Sequence, residues 1–167
     1  VHRVDEVHSV AVHTTRSAVR CIDKTGPLNG PADRDHCLQY AVAVALLYGN
    51  ITTEHYEDSV ANDPRVDELR RKILIAENPQ YSADYVDPDR RSCSNSVQVH
   101  FKDRTSTNKF EVEYPVGHRR RRMETFSALE KKFIASLHMK FPPERAGFIF
   151  ERVTDAQIFD ALTPIDF

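Results

Sequence analysis

His36 and Tyr40 stand four residues apart in a segment of helical pattern, a spacing that puts both side chains on one face just after a helix start. A histidine and a phenol near the positive end of a helix dipole, beside a Pro/Gly-rich loop, suit an anionic substrate that needs hydrogen-bond donors or an acid. The plainer reading of the same residues is a turn-capping His36 and a core Tyr40 whose hydroxyl is satisfied. A second group, Gly117-His118-Arg119-Arg120-Arg121-Arg122, could offer guanidinium forks to carboxylates. Charge runs are usually solvated, and four adjacent side chains cannot all enter one pocket.

Other chemistries find less support. The eight histidines contain no His-x-x-x-His pair and no metal-type cluster with carboxylates. Cys21, Cys37 and Cys93 are widely separated and form no Cys-x-x-Cys, so free thiols are expected rather than a zinc or iron–sulfur site. Neither a glycine-rich phosphate loop nor a nucleophile elbow is present, and no metal or cofactor is expected. The 23 Lys+Arg against 25 Asp+Glu create no global field toward nucleic acid or anionic membrane. The Arg run is too short, and too poor in aromatics, to change that. No segment approaches the ~20 apolar residues of a membrane span. Val1-His2-Arg3 has neither an initiating Met nor a signal-peptide pattern, which reads as a start inside a longer protein.

The elements that must position these residues follow from patterning. Residues 4–14 read as strand, with Val10 and Val12 on one face. Gly26-Pro27, Asn29-Gly30 and Pro31 form a breaker-rich loop, and a helix apolar on nearly every side, hence central and buried, follows over 35–48 with Gly49 as its stop. Thr52 or Thr53 caps a short helix through Tyr56 and Val60, and Asp63-Pro64 opens another with Val66, Leu69 and Ile73 on its stripe. Residues 73–76 turn into strand, and a long loop between Asn78-Pro79 and Asp87-Pro88 holds Tyr81 and Tyr85. Val97, Val99, Phe101 and Phe110, Val112, Tyr114 alternate as a hairpin; the Asp103-Arg104 turn lacks glycine, so a longer connection is expected. One sheet should unite the three strand segments around residues 4–14, 97–101 and 110–114, with the 35–48 helix packed on it.

Beyond Gly117 the strands stop. Residues 123–140 carry Phe126, Leu129, Phe133 and Leu137 at helical spacing, Pro142-Pro143 ends that helix, and Thr154-x-x-Gln157 resembles a capping box for a last short one. Phe126, Phe133, Phe148 and Phe159 are too many for a short tail to bury on itself, so a missing domain or a second copy is expected to cover them. Strand, helices, strands, helices is an α+β order.

Gly26-Pro27-Leu28 followed by Pro31-Ala32-Asp33-Arg34-Asp35-His36-Cys37-Leu38-Gln39-Tyr40 resembles the 2-methylcitrate dehydratases of the MmgE/PrpD family. Tyr114-Pro115-Val116-Gly117-His118 with the Arg run continues the resemblance, as do Val4-Asp5-Glu6-Val7 and Ala83-Asp84-Tyr85, and the fungal branch looks closest. The resemblance implies a small α+β domain over residues 1–122 and, over 123–167, helices returning to an all-helical domain whose N-terminal part is missing. It implies dehydration of 2-methylcitrate to 2-methyl-cis-aconitate in propionate breakdown, without a cofactor, in a homo-oligomer. The mitochondrial matrix is implied for a eukaryotic source and the cytoplasm for a bacterial one.

Tyr40 matches the family's active-site tyrosine, with His36 its neighbour, while His118 and Arg119 are candidates to bind the tricarboxylate. The base and other cationic groups would lie upstream, so this chain by itself is expected to be inactive. Two other readings stay open: a cis-aconitate decarboxylase of the same family, and a non-catalytic domain that binds an anion or a protein partner.

Overall fold

Val7, Val10 and Val12 all face the core although the first two are three residues apart, which a regular strand, with its two-residue side-chain period, would not allow. The strand β1 (Val7–Thr14) resolves this with a bulge: Val7 pairs with Phe101 and Ser9 with His100, leaving His8 as the extra residue. The computed structural model describes residues 3–163. They fall into two compact units divided between Pro115 and Val116.

In the first unit β1 is an inner strand of a four-stranded sheet. It runs parallel to β2 (Ile73–Glu77) and antiparallel to β3 (Asn95–Phe101), which pairs in turn with the short β4 (Phe110–Val112). The three expected strand segments therefore share one sheet, and residues 73–77 supply its fourth member. Residues 4–6, expected as strand, form a 3₁₀ turn instead. The fold is α+β.

Helices close the core face. After β1 come α1 (Arg16–Ile22), which residue patterning did not signal, α2 (Pro31–Asp35) and α3 (Leu38–Tyr48). Tyr40, Ala43 and Val44 of α3 join Val7, Val10, Val12, Ile73, Val99 and Phe101 in one cluster with Cys37, Val66 and Leu69. Each fully buried valine contributes about 1.5–3 kcal/mol relative to exposure. The expectation of a helix buried all round is corrected: only Gln39, Tyr40, Ala43 and Val44 are buried, and Tyr48 is exposed at the far end. Gly49 stops α3 as expected, in the left-handed region at φ 82° with its N–H on the Ala45 carbonyl. Short α4 (Asp58–Ala61) and α5 (Pro64–Arg70) follow, Asp63 capping the latter.

The loop expected around Tyr81 and Tyr85 is a helix, α6 (Pro79–Val86). Asn78 accepts the Gln80 N–H and Pro79 occupies the first turn, so the Asn-Pro pair is a helix start rather than a loop marker.

The connection from β3 to β4 is long, as the absence of glycine indicated, and Arg104 takes a left-handed φ of 69° in it. Within it, hydrogen bonds from the Thr105 hydroxyl and amide, with help from the Arg3 guanidinium, lower the Asp103 carboxyl from 3.8 to about 2. A depressed carboxylate pKa contributes stability that is present above about pH 4 and is lost as pH falls toward about 2. Asp103→Asn should therefore lower the melting temperature at neutral pH, with the gap to wild type closing between about pH 4 and pH 2. Melting curves across that range check it; a gap independent of pH would refute the charge-based account.

The second unit is helical: α7 (Arg122–His138), α8 (Pro143–Thr154) and α9 (Ala156–Ala161). Its small core is Leu137, Ala146 and Ile149 with Phe133, Phe150 and Val153 against them. Met123 is 84% exposed, Phe126 55%, Leu129 54% and Phe159 50%. Phe133 instead packs inside, its ring 6.0 Å from that of Phe150. The last helix is capped by Asp155, which accepts the Gln157 and Ile158 N–H groups, and not by Thr154, whose hydroxyl bonds back to the Phe150 carbonyl. Among the described residues no helix is long and apolar enough to cross a membrane.

Candidate functional site

His36 and Tyr40 do not share a helix. The chain leaves α2 at His36, passes through an extended Cys37 (φ −127°, ψ 107°) and enters α3 at Leu38. Pro31 fits the first turn of α2, and the helix is too short to run on into α3. The expected continuous 35–48 helix is thus two helices, and the four-residue spacing does not place the two side chains on one face.

His36 is largely solvent-exposed. Its Nδ1 lies 3.2 Å from the Ala32 carbonyl and 3.4 Å from Asp35 Oδ2. A carbonyl only accepts, so Nδ1 carries the proton of that bond and a neutral ring keeps its lone pair on Nε2. An imidazole so oriented presents Nε2 as a hydrogen-bond acceptor to a group arriving from outside.

Tyr40 is 2% exposed. Its hydroxyl donates to the His55 carbonyl at 2.6 Å, and its ring stacks on Tyr56 with centroids 6.1 Å apart. Burial pushes the phenol above its usual value, with the nearby Arg34 charge opposing, so the hydroxyl keeps its proton at neutral pH. It is a donor, already aimed at a backbone acceptor.

Arg34 was not singled out from the sequence. Its guanidinium is buried, donating to the Tyr56 carbonyl at 2.5 Å and to Asp58 Oδ1 at 2.6 Å. It thereby straps residues 53–58, the segment whose carbonyl receives Tyr40, against α2. That segment is held from its other end by Thr52 and His55, whose Nδ1 accepts the Thr52 N–H. On the opposite side Gln39 ties down the preceding loop: its Oε1 accepts the Lys24 N–H at 3.1 Å and its Nε2 donates to Asp23. Arg34 lies between two aspartates and reads as solvated; its acceptors are more than twenty residues onward, beyond the reach of local spacing.

His118 and Arg119 belong to the second unit. His118 caps a 3₁₀ turn, Arg119–Arg121, its Nδ1 accepting the Arg120 N–H at 3.2 Å, and Arg119 is exposed. Arg121 pairs with Glu124 at 2.6 Å, so the Arg run bends into a turn that opens α7. Among the described residues no group of three His, Cys, Asp or Glu side chains could hold a metal ion.

A family model described as MmgE/PrpD C-terminal domain matches residues 1–156. The chain belongs to the MmgE/PrpD family. His36, Tyr40, His118 and Arg119 all fall inside the matched MmgE/PrpD segment. A 2-methylcitrate dehydratase of Escherichia coli K12 is 45% identical over 146 residues, covering 87% of this chain and 30% of its own length. The mitochondrial 2-methylcitrate dehydratase of Yarrowia lipolytica is 44% identical, covering 83% of this chain and 26% of its own. A 2-methylcitrate dehydratase-like protein of Aspergillus oryzae is 39% identical over 98% of this chain. The chain spans about a third or less of these MmgE/PrpD relatives.

Proposed function

We propose that this chain is the C-terminal part of a hydro-lyase that dehydrates 2-methylcitrate to 2-methyl-cis-aconitate. The observation that carries the reading is identity of 45% and 44% with bacterial and fungal proteins of that name, over more than four fifths of the chain. In such a reaction a base removes a proton from the carbon beside a carboxylate, cationic groups stabilise the charge that develops, and an acid protonates the departing hydroxide. A buried phenol that keeps its proton is suited to the last step, and Tyr40 takes that role once it exchanges the His55 carbonyl for the leaving group. His36 is the exposed residue that meets the substrate's polar groups. The base is assigned to sequence outside this chain.

The uncovered apolar residues of the second unit, Met123, Phe126 and Leu129, support a partner surface: the rest of the enzyme, in a homo-oligomer. The named mitochondrial relative favours the matrix for a eukaryotic source and the bacterial ones the cytoplasm.

The test compares the full-length enzyme with this chain alone on 2-methylcitrate, following absorbance of the unsaturated product. Turnover by the full-length protein and none by the chain is expected. Turnover by the chain alone would overturn the division of the site. Carbon dioxide release from cis-aconitate without dehydration would replace the hydro-lyase by a decarboxylase.

A further inference from the structure

The bulge in β1 does more than keep Val7 and Val10 in the core. It turns two consecutive residues, His8 and Ser9, away from that core, where a regular strand would release one. Ser9 pairs across the sheet with His100, and the two stand next to the inward pair Val10 and Val99. They therefore lie on the sheet face away from α3 and Tyr40. Together with Lys102, Arg104 and Thr105 they line an open hollow of about 460 Å³ at this end of the sheet.

The turn that carries the two cations is held by its backbone. The Lys102 N–H donates to the Glu6 carbonyl at 2.9 Å, the Arg104 N–H to the Phe101 carbonyl at 3.0 Å, and the Phe101 N–H to the Thr105 carbonyl at 2.8 Å. Charge around the hollow is one-sided. Asp103, between the two cations, and Glu6 are both bound by Arg3, and Asp103 also accepts the hydroxyl and amide of Thr105. Lys102 gives one proton of its ammonium to the Asp5 carbonyl at 2.8 Å and keeps the others. Among the described residues, none of His8, His100, Lys102 and Arg104 forms an ion pair. Two permanent cations and two imidazoles lining one concavity favour the uptake of an anion.

We propose that this hollow binds a small oxyanion of at least two negative charges, a di- or tricarboxylate or a phosphate. Lys102 and Arg104 balance the charge, and the guanidinium fork can donate to two oxygens at once. The His8 and His100 rings and the Ser9 hydroxyl add donors between them. Lying across the sheet from Tyr40, it is a second site, and it stands whether or not the chain dehydrates a tricarboxylate.

The experiment follows the nuclear magnetic resonance signals of the whole chain as inorganic phosphate, and separately propane-1,2,3-tricarboxylate, is added at constant ionic strength made up with chloride. Saturable shifts of the His8 and His100 ring signals and of the amides of residues 102–105 are expected, and the anion that saturates at the lower concentration names the class. Lys102→Gln keeps the stem and a donor for the Asp5 carbonyl, and Arg104→Asn tolerates the left-handed backbone. Each should weaken binding by about tenfold while the remaining spectrum stays that of the folded chain. Shifts that grow without saturating, saturation confined to His36 or Arg119, or variants that bind as tightly as wild type would overturn the proposal.

Discussion

Tyr40→Phe in the full-length enzyme is expected to cut turnover by roughly 10²–10⁴-fold, the range that general acid catalysis contributes, and at the same time to destabilise the fold. The first effect comes from removing the only proton the residue can give. The second comes from the His55 carbonyl, which loses the 2.6 Å bond that the Tyr40 hydroxyl makes to it. Phenylalanine keeps the ring and its stacking on Tyr56, so the stability cost is about 1–2 kcal/mol. Turnover must therefore be measured well below the variant's melting temperature. A variant that melts earlier but turns over at a near-normal rate would show that the hydroxyl is an anchor for residues 53–56 and nothing more. A variant that loses turnover while folded establishes the acid.

Arg34→Ala should be the most destabilising change around the site, by about 2–3 kcal/mol in urea denaturation. Breaking a fully buried ion pair costs more than that, but Asp58 is mostly exposed and recovers its hydration when the guanidinium is gone. What does not recover is the Tyr56 carbonyl, together with the packing of the Arg34 stem under the segment. Lysine should rescue little, because one ammonium cannot repeat the fork that reaches a carbonyl and a carboxylate at once. Amide exchange over residues 53–61 should quicken beyond what the global loss explains. An unfolding midpoint equal to wild type would remove Arg34 from any positioning role.

Much of the fold was legible because its signals are local. Alternation marked β3 and β4, the Val-rich run marked β1, Asp63-Pro64 marked α5 and Gly49 the end of α3. The misreadings share a cause: one residue type serving two purposes. Asn78-Pro79 punctuates loops and also starts helices, and only the accepted Gln80 N–H decides which. Thr154 fits a capping box, yet the carboxylate beside it took the amides. The burial of Tyr40 was legible and its hydrogen-bond partner was not. A backbone carbonyl fifteen residues away leaves no trace in side-chain spacing, and the break at Cys37 that separates His36 from Tyr40 involves neither glycine nor proline within the turn itself.

The His8 bulge bears on how this domain can change length over evolution. From Val10 to His13 the strand is paired on both sides, so adding or deleting a residue there would slip two ladders and turn the valines outward. At His8 pairing is one-sided and the extra residue is already accommodated. Within β1, then, a relative could lose or gain a residue at this point with its inward side chains kept in register, by ironing the bulge flat or by restoring it. An alignment gap falling at position 8 would be a mark of conserved structure.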